Sequence, residues 1–147
     1  MDRLLTLNPE TAAAIRASFS RQGLMMTLGA VLVDVGPGAV TIEMPRAAHI
    51  AQQQGQPHGS AIGAIAETAG GYAALSLMPV GSEVTTVEYK INFVRLARGD
   101  VVRARAKVAR AGRSVTVATV EVASGSGGSF ELCAIVQGTF MRIAVDA

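Results

Sequence analysis

The chain has 147 residues, half of them apolar and 16% charged, with a net charge of +2. That is one domain, 1–147, long enough to close a single hydrophobic core, with a charged fraction well below the roughly 25% usual for soluble domains; so apolar a short chain is expected to bury part of its surface against another subunit. The weak charge, the absence of Trp and the 4% aromatic content speak against a nucleic-acid partner, which would need a basic patch and stacking platforms.

At the N-terminus, Met1-Asp2-Arg3-Leu4-Leu5 lacks the apolar stretch of a signal peptide. No uncharged apolar run reaches the roughly 18 residues of a membrane helix. Residues 68–82 come nearest, and Gly70, Gly71 and Pro79 interrupt them. The expectation is a soluble cytoplasmic protein with no membrane partner.

Asn8-Pro9-Glu10 predicts a helix start: an Asn cap, Pro in the first turn and an acid near the positive end of the dipole. This helix is expected to run to about Gln22 and stop at Gly23, making residues 1–23 a helical segment before a core of residues 24–147. Residues 28–35 and 39–44 read as strands joined at Gly36-Pro37-Gly38. Residues 45–57 are polar and irregular. A second helix is expected over residues 59–77, with Pro79 as its stop.

From Ser82 the pattern alternates, with Val87, Tyr89, Ile91 and Phe93 on one face and Glu88, Lys90 and Asn92 on the other. Strands near residues 101–109, 114–123 and 130–143 follow, divided by Arg98-Gly99-Asp100, Ala111-Gly112-Arg113 and residues 125–128. A meander of long strands pairs antiparallel. The second helix is apolar almost all round, so it should be enclosed by protein. The fold class is therefore α+β, a long central helix wrapped by a curved antiparallel sheet of about six strands, with an N-terminal helix.

One charge interrupts the apolar helix: Glu67, whose helical neighbours are Gly63, Ala64, Gly70 and Gly71. Each interior Gly costs about 1 kcal/mol against Ala, and small neighbours would leave space around a carboxylate. Packing of the helix against the sheet explains glycines too, but it does not explain a buried acid, which is expensive without a partner. At the helix start, the amides of Gly59 and Ser60 are expected to be free and to form an oxyanion site. From Gly59 to Glu67 the helix rises about 12 Å. If the two form one site, both must come within about 3 Å of one carbonyl group, and Glu67 must then meet the Gly59 end of another subunit's helix.

Gln52-x-x-Gly55-x-x-His58-Gly59, then Glu67, then Val87-Glu88-Tyr89-Lys90-Ile91-Asn92-Phe93 and Ala97-Arg98-Gly99, resembles the hotdog-fold acyl-CoA thioesterases. The likeness is strongest to the phenylacetyl-CoA and 4-hydroxybenzoyl-CoA thioesterase branch and spans residue 28 to the C-terminus. The resemblance implies hydrolysis of an acyl-CoA ester by a homodimer or dimer of dimers with sites at a subunit interface. It implies Glu67 as nucleophile or general base, Gly59 as oxyanion donor and Gln52 as the residue orienting substrate or water. Coenzyme A is then part of the substrate, and no cofactor is needed. Ser60 stands where the family commonly has a second Gly.

His58, Ser60, Thr86, Arg95 and Arg113 complete the candidate substrate-binding set, with Arg98 and Arg110 as further basic groups near strand ends. Histidine beside a helix start is usually a hydrogen-bonding group, and His49 reads as a loop residue. Two His with no spaced acid ligand make no metal site. Arg103, Arg105 and Lys107 alternate as a solvated outer face, residues 125–128 read as a hairpin tip, and Cys133 as a buried inert thiol. The competing functions are a hydratase or dehydratase on the same fold, which would use a His with an acid, and a non-catalytic acyl-CoA-binding module.

Overall fold

The structure, a computed structural model, describes residues 6–144. Residues 1–5, read above as lacking an apolar leader, and residues 145–147 lie outside it. Helix α1 spans Pro9–Ser20. The Asn8 side chain accepts from the Glu10 amide at 2.9 Å, as the cap pattern requires. The helix ends two residues before the expected Gln22, and Gly23 does not stop it but opens a second short helix, α2, Gly23–Thr27. An apolar run such as Leu24-Met25-Met26 cannot be assigned to helix or strand by periodicity alone. Here burial of Met25, 1% exposed, selects the helix. Gly29, at φ +65°, then turns the chain, so strand β1 is Val31–Gly36 and starts later than expected.

Strand β2 is Ala39–Pro45, and a 3-10 turn, Ala48–Ile50, leads toward the central helix α3, Gly59–Leu75. The remaining strands are β3 Glu83–Phe93, β4 Val101–Ala111, β5 Val115–Ser126 and β6 Ser129–Ile143. All neighbours pair antiparallel in the order β1-β2-β4-β5-β6-β3. The expected meander holds for β4-β5-β6 but fails at β3, which pairs with β6 and not with β4. Helix α3 carries the chain beneath the whole sheet, so β3 enters at the far edge and β2 is left to pair β4.

The sheet curls around α3, which touches β2, β3, β4, β5 and β6. Ile65, Ala66, Ala69 and Ala73 of α3 are 0% exposed within a core containing Ile42, Met44, Val102 and Val122. Ile15 of α1 joins the same core. This is the hotdog arrangement. Residues Gly127 and Gly128, both at positive φ, form the two-residue tip between β5 and β6. Among the described residues no helix is long and apolar enough to cross a membrane.

Strand β3 departs from its expected alternation. Its pairing with β6 slips between Thr86 and Glu88, a bulge centred on Val87. One extra residue moves side chains to the opposite face. Val84 and Thr86 therefore share the inner face with Tyr89, Ile91 and Phe93, while Val87, expected inside, is 55% exposed.

Candidate active site

Four positions of α3, each four residues apart and so on one side of the helix, meet four side chains of β3. A Cβ on Gly59 would lie 3.0 Å from the Phe93 Cζ, and one on Gly63 would lie 3.3 Å from the Tyr89 hydroxyl. One on Gly71 would reach Val84 at 4.0 Å. Between them Glu67 meets Thr86, whose hydroxyl donates to Oε1 of the carboxylate. The bulge at Val87 makes this contact possible, because without it Thr86 would face outward. Gly59, Gly63 and Gly70 are thus seats for side chains of the sheet, while Gly71 borders open space beside the acid, as expected from the sequence. Gly70 is the tightest, with Phe140 Cζ 2.6 Å from where its Cβ would stand.

Glu67 is half-buried. Among the described residues only Thr86 hydrogen-bonds to its carboxylate. Beside it lies a cavity of about 120 Å³.

At the start of α3 the backbone donors are partly used. The Ser60 amide, expected to be free, donates to Nδ1 of His58 at 3.0 Å. The amides of Ala61 and Ile62 both reach the His58 carbonyl, at 3.0 and 3.1 Å. Among the described residues the Gly59 amide has no partner. It is the one donor of this turn left for an oxyanion. With Nδ1 accepting, the ring proton of neutral His58 sits on Nε2. His58 therefore acts as the helix cap.

The loop before α3 is held by backbone bonds. Ala51 and Pro57 form a bridge, and the Gln52 amide reaches the Gln56 carbonyl at 2.8 Å. Gly55, at φ +82°, returns its amide to the Gln52 carbonyl at 2.9 Å and accepts from Arg46 at 2.7 Å. The half-buried Gln52 side chain bonds to Gln54, its Oε1 accepting from the backbone amide. One chain thus joins Glu67 to Thr86 and sets Gly59 beside His58 and Phe93. Gly59 stands at the other end of the helix segment, about 12 Å from Glu67 along its axis, and Gln52 lies in the loop that precedes it.

The basic candidates are not brought together. Arg95 pairs with Glu131 at 3.3 Å on the surface, and its amide donates to the Cys133 carbonyl. Arg113 lies in the β4–β5 turn, beside the Val115–Met141 pair. Eight residues of β6 separate those anchor points, roughly 25 Å. Arg103, expected to be plainly solvated, is paired with Glu43 at 2.6 Å and covers the Phe130 ring at 3.8 Å. His49 bonds the Thr27 carbonyl at 2.8 Å, tying the loop to α2. Burial raises the Cys133 thiol pKa, which disfavours the reactive thiolate. Among the described residues no three His, Cys, Asp or Glu form a metal cluster.

The sequence offers Tyr72 as a residue on which pocket size depends, but not the partners of its hydroxyl. The Tyr72 hydroxyl bonds Ser18 at 2.9 Å and receives the Gln22 amide at 2.8 Å. A lone tyrosine in an otherwise apolar helix was the available signal, since a buried phenol requires a partner.

Residues 54–131 match the family model described as Thioesterase superfamily. A protein of Halobacterium salinarum bearing the name "Putative esterase VNG_1336C" is 31% identical over 118 residues, covering 77% of this chain and 78% of that one. A thioesterase family protein from Silicibacter pomeroyi superposes with a TM-score of 0.89 at 37% identity, over 92% of this chain and 99% of that one. A conserved protein from Pseudomonas aeruginosa gives 0.76 at 31% identity, over 83% and 94%.

Proposed function

The chain belongs to the thioesterase superfamily, and we propose that it hydrolyses acyl-CoA thioesters at sites shared between two copies of itself. The observation that carries this reading is the polar step in the α3–β3 seam: Glu67 held by Thr86, with the unpartnered Gly59 amide two turns away. The Gly59 N–H of one protomer donates to the thioester carbonyl oxygen, stabilising the negative charge that develops there. Glu67 of the other protomer attacks the carbonyl carbon, or removes a proton from a water that does. The C–S bond breaks, and the CoA sulfur leaves and takes up a proton. A covalent intermediate, if Glu67 attacks directly, is an anhydride that a second step hydrolyses. The net change is one water consumed and one acid and one thiol released.

Gln52 stands at the Gly59 end and works with that amide, orienting the carbonyl or the water. His58 and Ser60 shape the same turn. Because Nδ1 of His58 is engaged by the Ser60 amide, the His-plus-acid chemistry of a hydratase has no support from this geometry. Arg95 and Arg113 serve the same CoA phosphate only if they come from different subunits.

Strand β3 supports the two-copy site. It lies at a sheet edge with eleven residues, and Val87, Tyr89 and Phe93 are 55%, 41% and 52% exposed. A long edge of this kind calls for a partner strand. The test mixes Glu67→Gln subunits with Gly59→Val subunits after verified exchange. Each parent is expected to be inactive. Half of randomly formed dimers are mixed and carry one intact site of two, so roughly a quarter of wild-type thiol release returns. No recovery from folded, exchanging parents refutes a shared site.

A further inference from the structure

The cavity beside Glu67 is lined by Glu67, Thr68, Gly71 and Tyr72 of α3, by Val84 and Thr86 of β3 and by Gln22, and it is partly open to solvent. Gln22 comes from the α1–α2 junction, outside the segment that matches the family model. Its position is fixed. Nε2 donates to the Tyr72 hydroxyl at 2.8 Å, the same hydroxyl bonds Ser18 at 2.9 Å, and the Phe19 ring packs against Tyr72 at 6.3 Å between centroids. Tyr72 is 4% exposed. Gln22 donates and either hydroxyl can donate in the Tyr72–Ser18 bond, while Oε1 of Gln22 has no partner among the described residues.

A larger cleft of about 430 Å³ lies between α2 and the first turns of α3, lined by Leu24, Leu28, Ile50, Ala61 and Ala64. It does not border Glu67. The smaller cavity does.

Resting on the reading of Glu67 as the reacting carboxylate, we propose that the small cavity receives the acyl group and that Gln22 sets its length and polarity. A volume of about 120 Å³ falls slightly below the roughly 150 Å³ that holds a benzene ring. The preferred substrates are therefore short acyl-CoA esters, of about four to six carbons, and a hydroxyl at the far end is favoured because it donates to the free Gln22 oxygen.

The test measures kcat/KM for acetyl-, butanoyl-, 4-hydroxybutanoyl-, hexanoyl-, octanoyl- and decanoyl-CoA with wild type, Gln22→Ala, Gln22→Met and Glu67→Gln. Wild type is expected to peak at butanoyl to hexanoyl and to fall about tenfold or more by decanoyl. Gln22→Ala removes four heavy atoms from the side chain that lines the cavity and moves the peak about two to four carbons longer. Gln22→Met keeps the length and loses about five- to tenfold of the preference for 4-hydroxybutanoyl over butanoyl. A merely structural Gln22 would lower every substrate alike. Turnover by Glu67→Gln refutes the underlying site. With that variant inactive, an unmoved chain-length profile in Gln22→Ala overturns the present inference. So does a wild-type peak at octanoyl or longer, which would put the acyl group in the larger cleft.

Discussion

Helix α3 has an enclosed side and an open side. On the enclosed side Ile65, Ala66, Ala69 and Ala73 are 0% exposed, as are Ile42, Ala104 and Val122 of the surrounding sheet. On the side facing β3 the same helix offers Gly59, Gly63, Glu67 and Gly71 to Phe93, Tyr89, Thr86 and Val84, and several of these stay partly exposed. The sheet's wrap is complete on one side and stops at an edge on the other. A carboxylate can stay charged only where water or a partner reaches it, and a substrate can enter only where packing is unfinished. The proposed site therefore lies at the edge.

Substitutions on the two sides should fail in different ways. The largest effect is expected on the open side, from Glu67→Gln, which lowers kcat by about 10²–10⁴-fold. Thermal unfolding should barely move, because the amide oxygen still accepts from Thr86. Near-wild-type thiol release would end the assignment of Glu67. Next comes the contrast between Gln52→Ala and His58→Ala. The first should lower kcat by about 10²-fold, as for loss of a group at a developing oxyanion. The second removes the cap on Ser60, costing about 1 kcal/mol of stability while kcat stays within about threefold. A greater catalytic loss at His58, with the fold intact by circular dichroism, would exchange their roles.

Thr86→Val tests the bulge itself. It should lower kcat about tenfold with KM unchanged, and Thr86→Ser should restore most of the loss. Equal effects from Val and Ser would show that the hydroxyl does not hold Glu67. The smallest effects separate the two sides by stability alone. Gly70→Ala drives a methyl against Phe140, which is 1% exposed and cannot withdraw, so it should cost about 1–3 kcal/mol in urea unfolding. Gly63→Ala meets the half-exposed Tyr89 hydroxyl, which can yield, and helix propensity offsets up to about 1 kcal/mol. A larger loss at Gly63 than at Gly70 would reverse the distinction between the sides.

Much of this was written locally in the chain. The Asn8 cap, the Gly127-Gly128 tip, the apolar run of α3 and its single acid depend on neighbours within a few residues, so periodicity and turn chemistry disclosed them. The Gly59 amide was legible for the same reason, since the first turn of any helix leaves donors unpaired. The fate of the Ser60 amide was not, because a His ring caps only when its rotamer points back over the turn.

What the tertiary structure decided are relations between segments far apart in sequence. The strand order was one, because nothing in residues 83–93 says that their partner is β6 and not β4. The bulge at Val87 was another: the alternation of residues 87–93 places Val87 with Tyr89, Ile91 and Phe93, and only pairing with β6 reveals the slipped residue that turns Thr86 toward Glu67. The glycines of α3 were visible, but their meaning waited on Phe140, seventy residues from Gly70. Gln22 and Tyr72 meet across fifty residues. Short-range patterns fix backbone conformation because the hydrogen bonds involved are local. A site assembled from several elements exists only once burial of the core has fixed how those elements pack.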